Sequence, residues 1–196
     1  MPAATTNKPG LGFYLFDTAI GRCALVWRGG LVTGAALPEA SDEAMRRQLA
    51  RRFPGAAEAD PAGFVHDAAN RIVSLLAGED ADLRGVPLGL EGSEFEIKVW
   101  RAAQGIPCGA VRSYGELAAD IGSPGAAQAV GLALGRNPAP ILVPCHRILA
   151  SGGKSGGFSA PGGVATKFRI LEIEGARRPG ERGLFDSLPL AVRPAR

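Results

Sequence analysis

The stretch that decides the fold is SYGELAADIGSPGAAQAVGLALG, residues 113–135. Its first four residues, Ser113-Tyr114-Gly115-Glu116, form a capping box for a short helix that Gly122 is expected to end. Ser123 can then cap, and Pro124 can open, a second helix that runs to about Gly135. Two helices joined by so tight a turn predict a helix-turn-helix. That motif indicates DNA binding and leaves the chemistry open.

The segments on either side of this motif are also mostly helical. Ser93-Glu94-Phe95-Glu96 is another capping box, ahead of an amphipathic helix. Downstream, Asn137-Pro138 stops the second helix of the motif. Residues 141–143 are predicted to form a short buried strand or extended segment that delivers Cys145. A last helix is predicted from about Val164 to Glu174, ended by Gly175.

The N-terminal part has the pattern of a small antiparallel sheet covered by helices. Three strands joined by glycine turns are predicted at 12–17, 23–27 and 31–37, and two helices at 41–53 and 64–77. Residues 54–61 are predicted to be a loop. A longer loop at 78–92 carries charges and glycines and is taken as the domain boundary. The expected organisation is an N-terminal domain at 1–90, a C-terminal domain at 91–178 and a tail at 179–196.

Composition excludes several classes of protein. The 196 residues, 46% of them hydrophobic, can bury one substantial core or two small ones that share an interface. No stretch resembles a secretion signal or a membrane span, so the cytoplasm is the expected compartment and no membrane partner is expected. Three cysteines, an odd number, argue against a disulfide framework. The chain has a net charge of +3; residues 1–90 carry −1 and residues 91–180 carry +3, which weakly favours a phosphate-bearing partner.

The sequence around Cys145 allows two interpretations. Free cysteine is among the most buried residue types, so its apolar flanks favour a core thiol. The cationic neighbours His146 and Arg147 favour a nucleophile, because cations lower a thiol pKa from about 8.5. Adjacent side chains rarely face each other, so His146 is expected to act on the thiol through a water or a bend in the chain. Glu174 is a candidate acceptor for His146, but spacing alone favours an ordinary solvated carboxylate, and Glu172 competes on the same grounds.

These motifs together resemble the O6-alkylguanine-DNA alkyltransferase family. They follow the family's order from about residue 95 to residue 175, and Asn-Pro followed by Pro-Cys-His-Arg at this spacing is highly specific. The first ninety residues match only in their predicted order of strands and helices. The matching motifs are Ile106-Pro107-Cys108-Gly109, Ser113-Tyr114-Gly115-Glu116-Leu117-Ala118, Ala129-Val130-Gly131, Asn137-Pro138, Pro144-Cys145-His146-Arg147 and Glu174-Gly175.

The resemblance implies an α/β protein. Its first domain would be ribonuclease-H-like with an antiparallel sheet, and its second a mostly helical, winged-helix-like alkyltransferase domain. The implied activity is repair of O6-methylguanine, and less readily O4-methylthymine, in double-stranded DNA. The damaged base would be flipped out, and its alkyl group would pass irreversibly to the protein's own cysteine, once per molecule. No cofactor and no metal are expected, and the protein is expected to be a monomer.

The resemblance also assigns roles to individual residues. Cys145 would be the nucleophile, with His146 relaying its proton through water. A two-residue excess in the loop before Lys167 makes Glu174 rather than Glu172 the residue that orients His146. Tyr114 would contact the flipped base, Ser159 would lie near the base oxygen and Asn137 would hold a turn, although each also fits a purely structural role. The remaining expected contacts are Val143 and Ile148 to the substrate, and Ser123, Ala127, Gln128, Ala129, Arg136 and Arg147 to DNA.

One residue departs from the family pattern. Gln128 stands where an arginine usually enters the duplex and fills the vacated stack. Glutamine can bond the orphaned base, but it lacks the charge and the planar guanidinium. We expect weaker duplex binding or slower repair, with Arg112 or Arg136 as possible sources of compensating charge. The change also leaves open a different substrate or a lesion sensor without chemistry, although sensors of the family lack the reactive cysteine.

Other functions fit the sequence less well. A cysteine hydrolase needs a histidine placed independently of its nucleophile. The only histidine besides His146 is His66, which lies in a predicted helix as an ordinary structural or surface residue. Gly153-Lys154-Ser155 resembles the end of a phosphate-binding loop, but Ile148 occupies the position of its required first glycine. The cysteines and histidines lack the paired spacing of zinc ligands.

Overall fold

Three strands open the fold and form the predicted antiparallel meander. The computed structural model describes residues 10–150 and 156–176. Its first strands are β1 (Leu11–Thr18), β2 (Gly21–Arg28) and β3 (Leu31–Ala36), and β2 lies between the other two. A short strand, β4 (Ala57–Glu58), pairs in parallel with β1 at the other edge. The prediction of a loop throughout 54–61 was therefore wrong, because two exposed residues carry no hydrophobic alternation that would reveal a strand.

Two helices cover opposite faces of this sheet. Helix α1 (Asp42–Arg52) is capped by Ser41 and packs Met45 and Leu49 on the face of β1 that carries Phe13 and Leu15. Helix α2 (Gly63–Leu76) packs on the other face, where Phe16 and Leu25 lie. Side chains alternate between the faces of a strand, so both faces of this sheet are apolar and both are buried.

The helix-turn-helix is present, with a later second helix than predicted. Helix α3 (Glu94–Gln104) and helix α4 (Tyr114–Asp120) both begin with the expected capping boxes. Helix α5 (Ala127–Gly135) begins at Ala127, with Ala126 as its N-cap, so the prediction that Ser123 caps it and Pro124 opens it was wrong. Gly125 has a φ of +88°, which a right-handed helix cannot contain, and the carbonyl of Ser123 accepts the Ala126 N–H in a turn.

The chain then delivers Cys145 beside the start of α4. A single turn of 3₁₀ helix (Cys145–Arg147) follows a tight turn, and strand β6 (Ile148–Leu149) pairs in parallel with β5 (Arg112–Ser113). The predicted strand at 141–143 is instead a buried turn, in which Ile141 has a φ of +73° and the Val143 N–H donates to Ala139. The last helix, α6 (Gly163–Ile173), lies close to its predicted range.

The two halves of the chain share one core. Its members include Leu25 and Val32 from the sheet, Ile72 from α2, and Leu142 and Ile170 from the second half. Residues from both sides of the predicted boundary at residue 90 therefore pack into one cluster, and the boundary itself stays a prediction. Residues 151–155, which include Gly153-Lys154-Ser155, and the whole of the predicted tail at 179–196 fall outside the described residues. No helix within 10–150 and 156–176 combines the length and apolar character needed to cross a membrane.

Candidate active site

Cys145 lies at the wall of a cavity of about 540 Å³. The thiol is half-buried, at the first residue of the 3₁₀ turn. The α4–α5 motif supplies one side of the cavity, and the segment before α6 supplies the other. The lining residues are Tyr114, Ala127, Gln128, Gly131, Leu132, Leu134, Gly135, Cys145, Gly157, Phe158 and Ser159. A planar group the size of a nucleobase fits this volume, and the helix-turn-helix frames its entrance.

Groups other than the predicted cations act on the thiol. Burial raises the pKa of Cys145, while the Asn137 side chain, which hydrogen-bonds the sulfur, and the charge of Lys167 lower it. Backbone N–H groups of the 3₁₀ turn act in the same direction. The expectation that His146 and Arg147 activate the thiol as cations was wrong. Burial lowers the pKa of His146, and the Arg147 guanidinium is paired with Glu174.

Behind the thiol, His146 and Glu174 form the predicted pair. His146 Nε2 lies 2.9 Å from Glu174 Oε1, and both side chains are almost fully buried. Burial by itself would raise the pKa of Glu174, but the facing His146 and Arg147 outweigh it and hold it at about 2. A neutral imidazole therefore donates its Nε2–H to an anionic carboxylate. Its Nδ1, which is buried, has no hydrogen-bond partner within the described residues and is left as a lone-pair acceptor.

Arg147 faces the interior and not the DNA-binding surface. Its Nε donates to Glu174 Oε2 at 2.9 Å and its Nη2 to Oε1 at 2.7 Å, while its Nη1 donates to the Ile106 carbonyl at 2.6 Å. The residue is 7% exposed. The expected contact between Arg147 and DNA is thus not available to this side chain. Its bidentate bond instead fixes the carboxylate that orients His146.

Asn137 holds an elbow between α5 and the segment that delivers Cys145. Its Nδ2 donates to the Val143 carbonyl at 2.8 Å, and its Oδ1 accepts the Ala139 N–H at 2.9 Å. The residue is 9% exposed. The amide of Asn137 thus bonds the backbone on both sides of the turn, as expected, and also reaches the thiol.

Tyr114 and Lys167 complete the wall around the thiol. Tyr114 is half-buried at the first position of α4, and Lys167 Nζ lies 5.9 Å from the centre of its ring. The Lys167 side chain is fully buried, burial lowers its pKa to about 8, and its Nζ donates to the Ile148 carbonyl. A Cβ at Gly156 would lie 2.7 Å from the tyrosine hydroxyl, so only a residue without a side chain lets the backbone at Gly156 lie this close to the ring.

Lys167 is a site residue that could not be predicted from the sequence. The sequence places it on a helix with apolar neighbours, where a lysine is normally the exposed member of an amphipathic pattern. The signal that would have found it is its position, four residues into α6 and opposite the cysteine segment, which only the folded chain reveals. Its side chain places a buried positive charge near the nucleophile.

Two predicted substrate contacts belong to the core. Val143 and Ile148 are 0% exposed and pack among the buried residues of the C-terminal half. The carbonyl of Val143 is taken by Asn137 and that of Ile148 by Lys167. A side-chain contact from either residue to a substrate is therefore excluded by burial. Ser159 does line the cavity, where its hydroxyl donates to the Gly135 carbonyl at 3.4 Å.

The exposed face of α5 presents the predicted DNA-facing residues. Gln128 and Ala129 are exposed in its first turn, with Ala127 half-buried beside them and Ser123 half-buried in the preceding turn. Leu132, one turn below Gln128, is 63% exposed and also lines the cavity. Sequence reasoning missed this residue.

Arg136, at the end of α5, is only partly free to act on DNA. Its Nη1 lies 3.0 Å from Glu96 Oε1, although the arginine side chain itself is 73% exposed. Hydrogen bonds from Ser93, joined by Arg136, lower the pKa of Glu96 to about 2. A DNA phosphate would thus compete with a carboxylate for this guanidinium.

The other two cysteines differ in surroundings. Cys23 is buried in the sheet, and burial raises its pKa to about 12. Cys108 is exposed as a whole residue. Partial burial of its sulfur, together with the charge of Glu174, raises the pKa of its thiol. Within the described residues, no group of three or more His, Cys, Asp and Glu side chains is arranged to hold a metal ion. Cys145 is the thiol that faces the large cavity.

The sequence of this chain is similar to those of known proteins of one family. Residues 94–176 match the family model for the 6-O-methylguanine DNA methyltransferase DNA-binding domain. A methylated-DNA–protein-cysteine methyltransferase from Mycobacterium bovis is 39% identical over 170 residues, which cover 87% of this chain and 96% of that protein. The relative of the same name from Methanosarcina acetivorans is 42% identical over 113 residues, covering 58% and 70% of the two chains.

Solved structures agree with this placement. The crystal structure of Mycobacterium tuberculosis OGT in complex with DNA has a TM-score of 0.70 at 37% identity, covering 89% of this chain and 99% of that one. The O6-methylguanine-DNA methyltransferase of Pyrococcus kodakaraensis has a TM-score of 0.64 at 26% identity, covering 84% and 99%. Similarity on this scale extends through both halves of the molecule and confirms the expected α/β fold. The chain belongs to the methylated-DNA–protein-cysteine methyltransferase family.

Proposed function

We propose that this protein repairs O6-methylguanine in double-stranded DNA, and O4-methylthymine less readily, by transferring the methyl group to Cys145. The sulfur attacks the methyl carbon, a carbon–sulfur bond forms and the bond to the base oxygen breaks. The proton lost by the thiol is balanced by the one that guanine takes up as it returns to its keto form, so no cofactor is consumed. A thioether is a poor leaving group, so each molecule acts once.

One observation carries the proposal. Cys145 opens into a cavity framed by a helix-turn-helix, and a buried histidine–carboxylate pair lies directly behind it. A core thiol has no need of such a pair. The thiolate would be stabilised by the amide of Asn137 and the charge of Lys167, the two side chains that oppose the effect of burial on its pKa.

His146 supplies the base. Its Nε2–H is bound to Glu174, so its free Nδ1 is the atom that can accept a proton. Adjacent residues rarely bring their side chains into contact, and we therefore infer that a water between Sγ and Nδ1 carries the proton. Glu174 fixes the tautomer and stabilises the imidazolium that forms, and Arg147 keeps Glu174 ionised.

DNA recognition is assigned to the exposed first turn of α5. We infer that Ala127, Gln128 and Ala129 approach the bases and that Ser123 contacts the backbone beside them. The target base is flipped into the cavity, where Tyr114 and Ser159 contact it. Three free thiols fit a reducing compartment, and we place the protein in the cytoplasm.

The presence of Gln128 favours one second candidate function. Without the arginine, the protein lacks a charged side chain that could fill the space that the flipped base leaves in the duplex. An alkyl acceptor for a different substrate, such as a lesion in single-stranded DNA, would use the same thiol with less need for that group. The discriminating measurement is the ratio of transfer rates from single-stranded and duplex oligonucleotides.

A cysteine substitution tests the proposal. Cys145→Ala should abolish transfer from a duplex with a radiolabelled O6-methyl group while retaining its affinity for that duplex. Cys108→Ala, which removes the exposed thiol, is the matched control and should transfer at the wild-type rate. Residual transfer by Cys145→Ala would overturn the assignment of the nucleophile.

A further inference from the structure

A single peptide group at the Asn137 elbow is bound from two sides. The carbonyl of Pro138 accepts the Ala35 N–H of β3 at 2.9 Å and Arg52 Nη2, at the end of α1, at 3.1 Å. The N–H of the same peptide group, which belongs to Ala139, donates to Asn137 Oδ1 at 2.9 Å. The N-terminal unit therefore holds one end of this group, and the side chain of Asn137 holds the other.

The rigidity of the peptide group couples these contacts. Its six atoms lie close to a plane, so a rotation that moves the carbonyl of Pro138 also moves the N–H of Ala139. That N–H is one of the two backbone groups that fix the amide of Asn137, the other being the carbonyl of Val143. The amide in turn faces the sulfur of Cys145. A displacement at Pro138 is thus transmitted to the thiol in two steps.

Arg52 is itself held in place for this contact. Its Nη1 donates to the Ala35 carbonyl at 3.3 Å, and its guanidinium carbon lies 5.3 Å from the centre of the Phe53 ring. Arg52 also lines a second pocket, of about 270 Å³, whose wall includes Asn137 and Cys145. A side chain of the N-terminal unit therefore borders the back of the active site.

We propose that Arg52 is a positioning residue for Cys145, acting through the Pro138–Ala139 peptide group and the amide of Asn137. The reaction that it serves is the proposed alkyl transfer. Its effect on the thiol does not depend on that reaction, because the coupling ends at the sulfur. Ala35 provides a second bond to the same carbonyl, so loss of Arg52 weakens the alignment without removing the elbow.

The test compares three variants of the full-length chain. Arg52→Ala removes the contact. Arg51→Ala is the matched control, because Arg51 is exposed on the same turn of α1 and forms no hydrogen bond or ion pair within the described residues. Arg52→Lys retains the charge on one donor nitrogen, in place of the two nitrogens that bond the carbonyls of Ala35 and Pro138. Alkylation of Cys145 by iodoacetamide is followed against pH, with peptide mass spectrometry to separate it from Cys23 and Cys108.

The expected result is a slower and pH-shifted thiol. Arg52→Ala should react about tenfold more slowly at pH 7.5, the scale of one lost hydrogen bond, with its profile moved to higher pH. His146, Lys167 and Tyr114 also face the thiol and are the same in every variant, so they cannot produce the difference. Arg51→Ala should match wild type, and Arg52→Lys should fall between wild type and Arg52→Ala.

Other outcomes would overturn the proposal. Arg52→Ala and Arg51→Ala profiles that coincide would overturn the proposal, since both variants lose one positive charge from α1. Should Arg52→Ala fail to fold, Arg52→Lys decides, and a wild-type profile for it refutes the coupling. Methyl transfer from a lesion-bearing duplex is measured in parallel. If wild type gives no transfer while Arg52→Ala still slows iodoacetamide, the proposed function fails and the positioning role stands.

Discussion

Replacing Glu174 by glutamine removes the charge at the centre of the buried network behind Cys145. The carboxylate accepts three bonds, from His146 Nε2 and from Nε and Nη2 of Arg147. In Glu174→Gln the buried guanidinium loses its counter-charge, and removing one partner of a buried ion pair costs about 3–5 kcal/mol. The pKa of Glu174 gives a matching figure, because its fall from 4.5 to about 2 corresponds to about 3 kcal/mol of stability.

The stability loss should depend on pH in a definite direction. The folded-state pKa of Glu174 is lower than its value in the unfolded chain, so its contribution is present in full above about pH 5. The contribution disappears as the pH falls to about 2. Wild type and Glu174→Gln should therefore differ by roughly 10 °C in unfolding temperature at pH 7, and their curves should converge in acid.

The rate of the chemical step should fall as well. A glutamine amide can turn its NH₂ toward His146, which favours the tautomer with the proton on Nδ1 and removes the base. Single-turnover methyl transfer, measured by rapid quench at saturating duplex, should fall at least about a hundredfold. Glu172→Gln, the same change at an exposed position two residues away, is the control. Equal transfer rates and unfolding temperatures for the two variants would refute the role given to this network.

Two further substitutions test the DNA-facing helix and the buried lysine. Gln128→Arg should raise duplex affinity and steepen its dependence on salt, because it adds one phosphate-directed charge; unchanged or weaker affinity in a titration at two salt concentrations would contradict this. Lys167→Met should slow transfer at pH 7.5 and move the rate profile to higher pH, because Lys167 lowers the pKa of Cys145. A profile that coincides with wild type would show that the lysine charge does not act on the thiol.

Patterns within single elements predicted most of the fold. Apolar segments joined by glycine turns located the three-stranded meander, and Ser–Glu pairs located the starts of α3 and α4, because each signal lies within a few neighbouring residues. The start of α5 was misplaced because Gly125 takes a positive φ that sequence alone does not reveal. The turn at Ile141 was missed for a similar reason, since its conformation depends on bonds to Asn137 and Ala139.

The site was predicted less completely than the fold. The thiol, its histidine and Glu174 follow from the family's motifs, and the structure brings them together. The roles of Arg147 and Lys167 did not follow, because both are basic side chains that a sequence places on the surface by default. Burial turned the first into a support for Glu174 and the second into a neighbour of the thiol. The contact of Arg52 with Pro138 joins residues that are 86 positions apart, and no local sequence pattern predicts it.

The most direct test of methyl transfer to Cys145 is the mass of the protein after reaction with DNA. The chain is mixed with an excess of duplex that carries one O6-methylguanine, and both the intact protein and its peptides are measured. We expect one added methyl group per protein, on the peptide that contains Cys145, with no further increase at longer times. An unmodified protein that still binds the duplex, or a methyl group on Cys23 or Cys108, would contradict it.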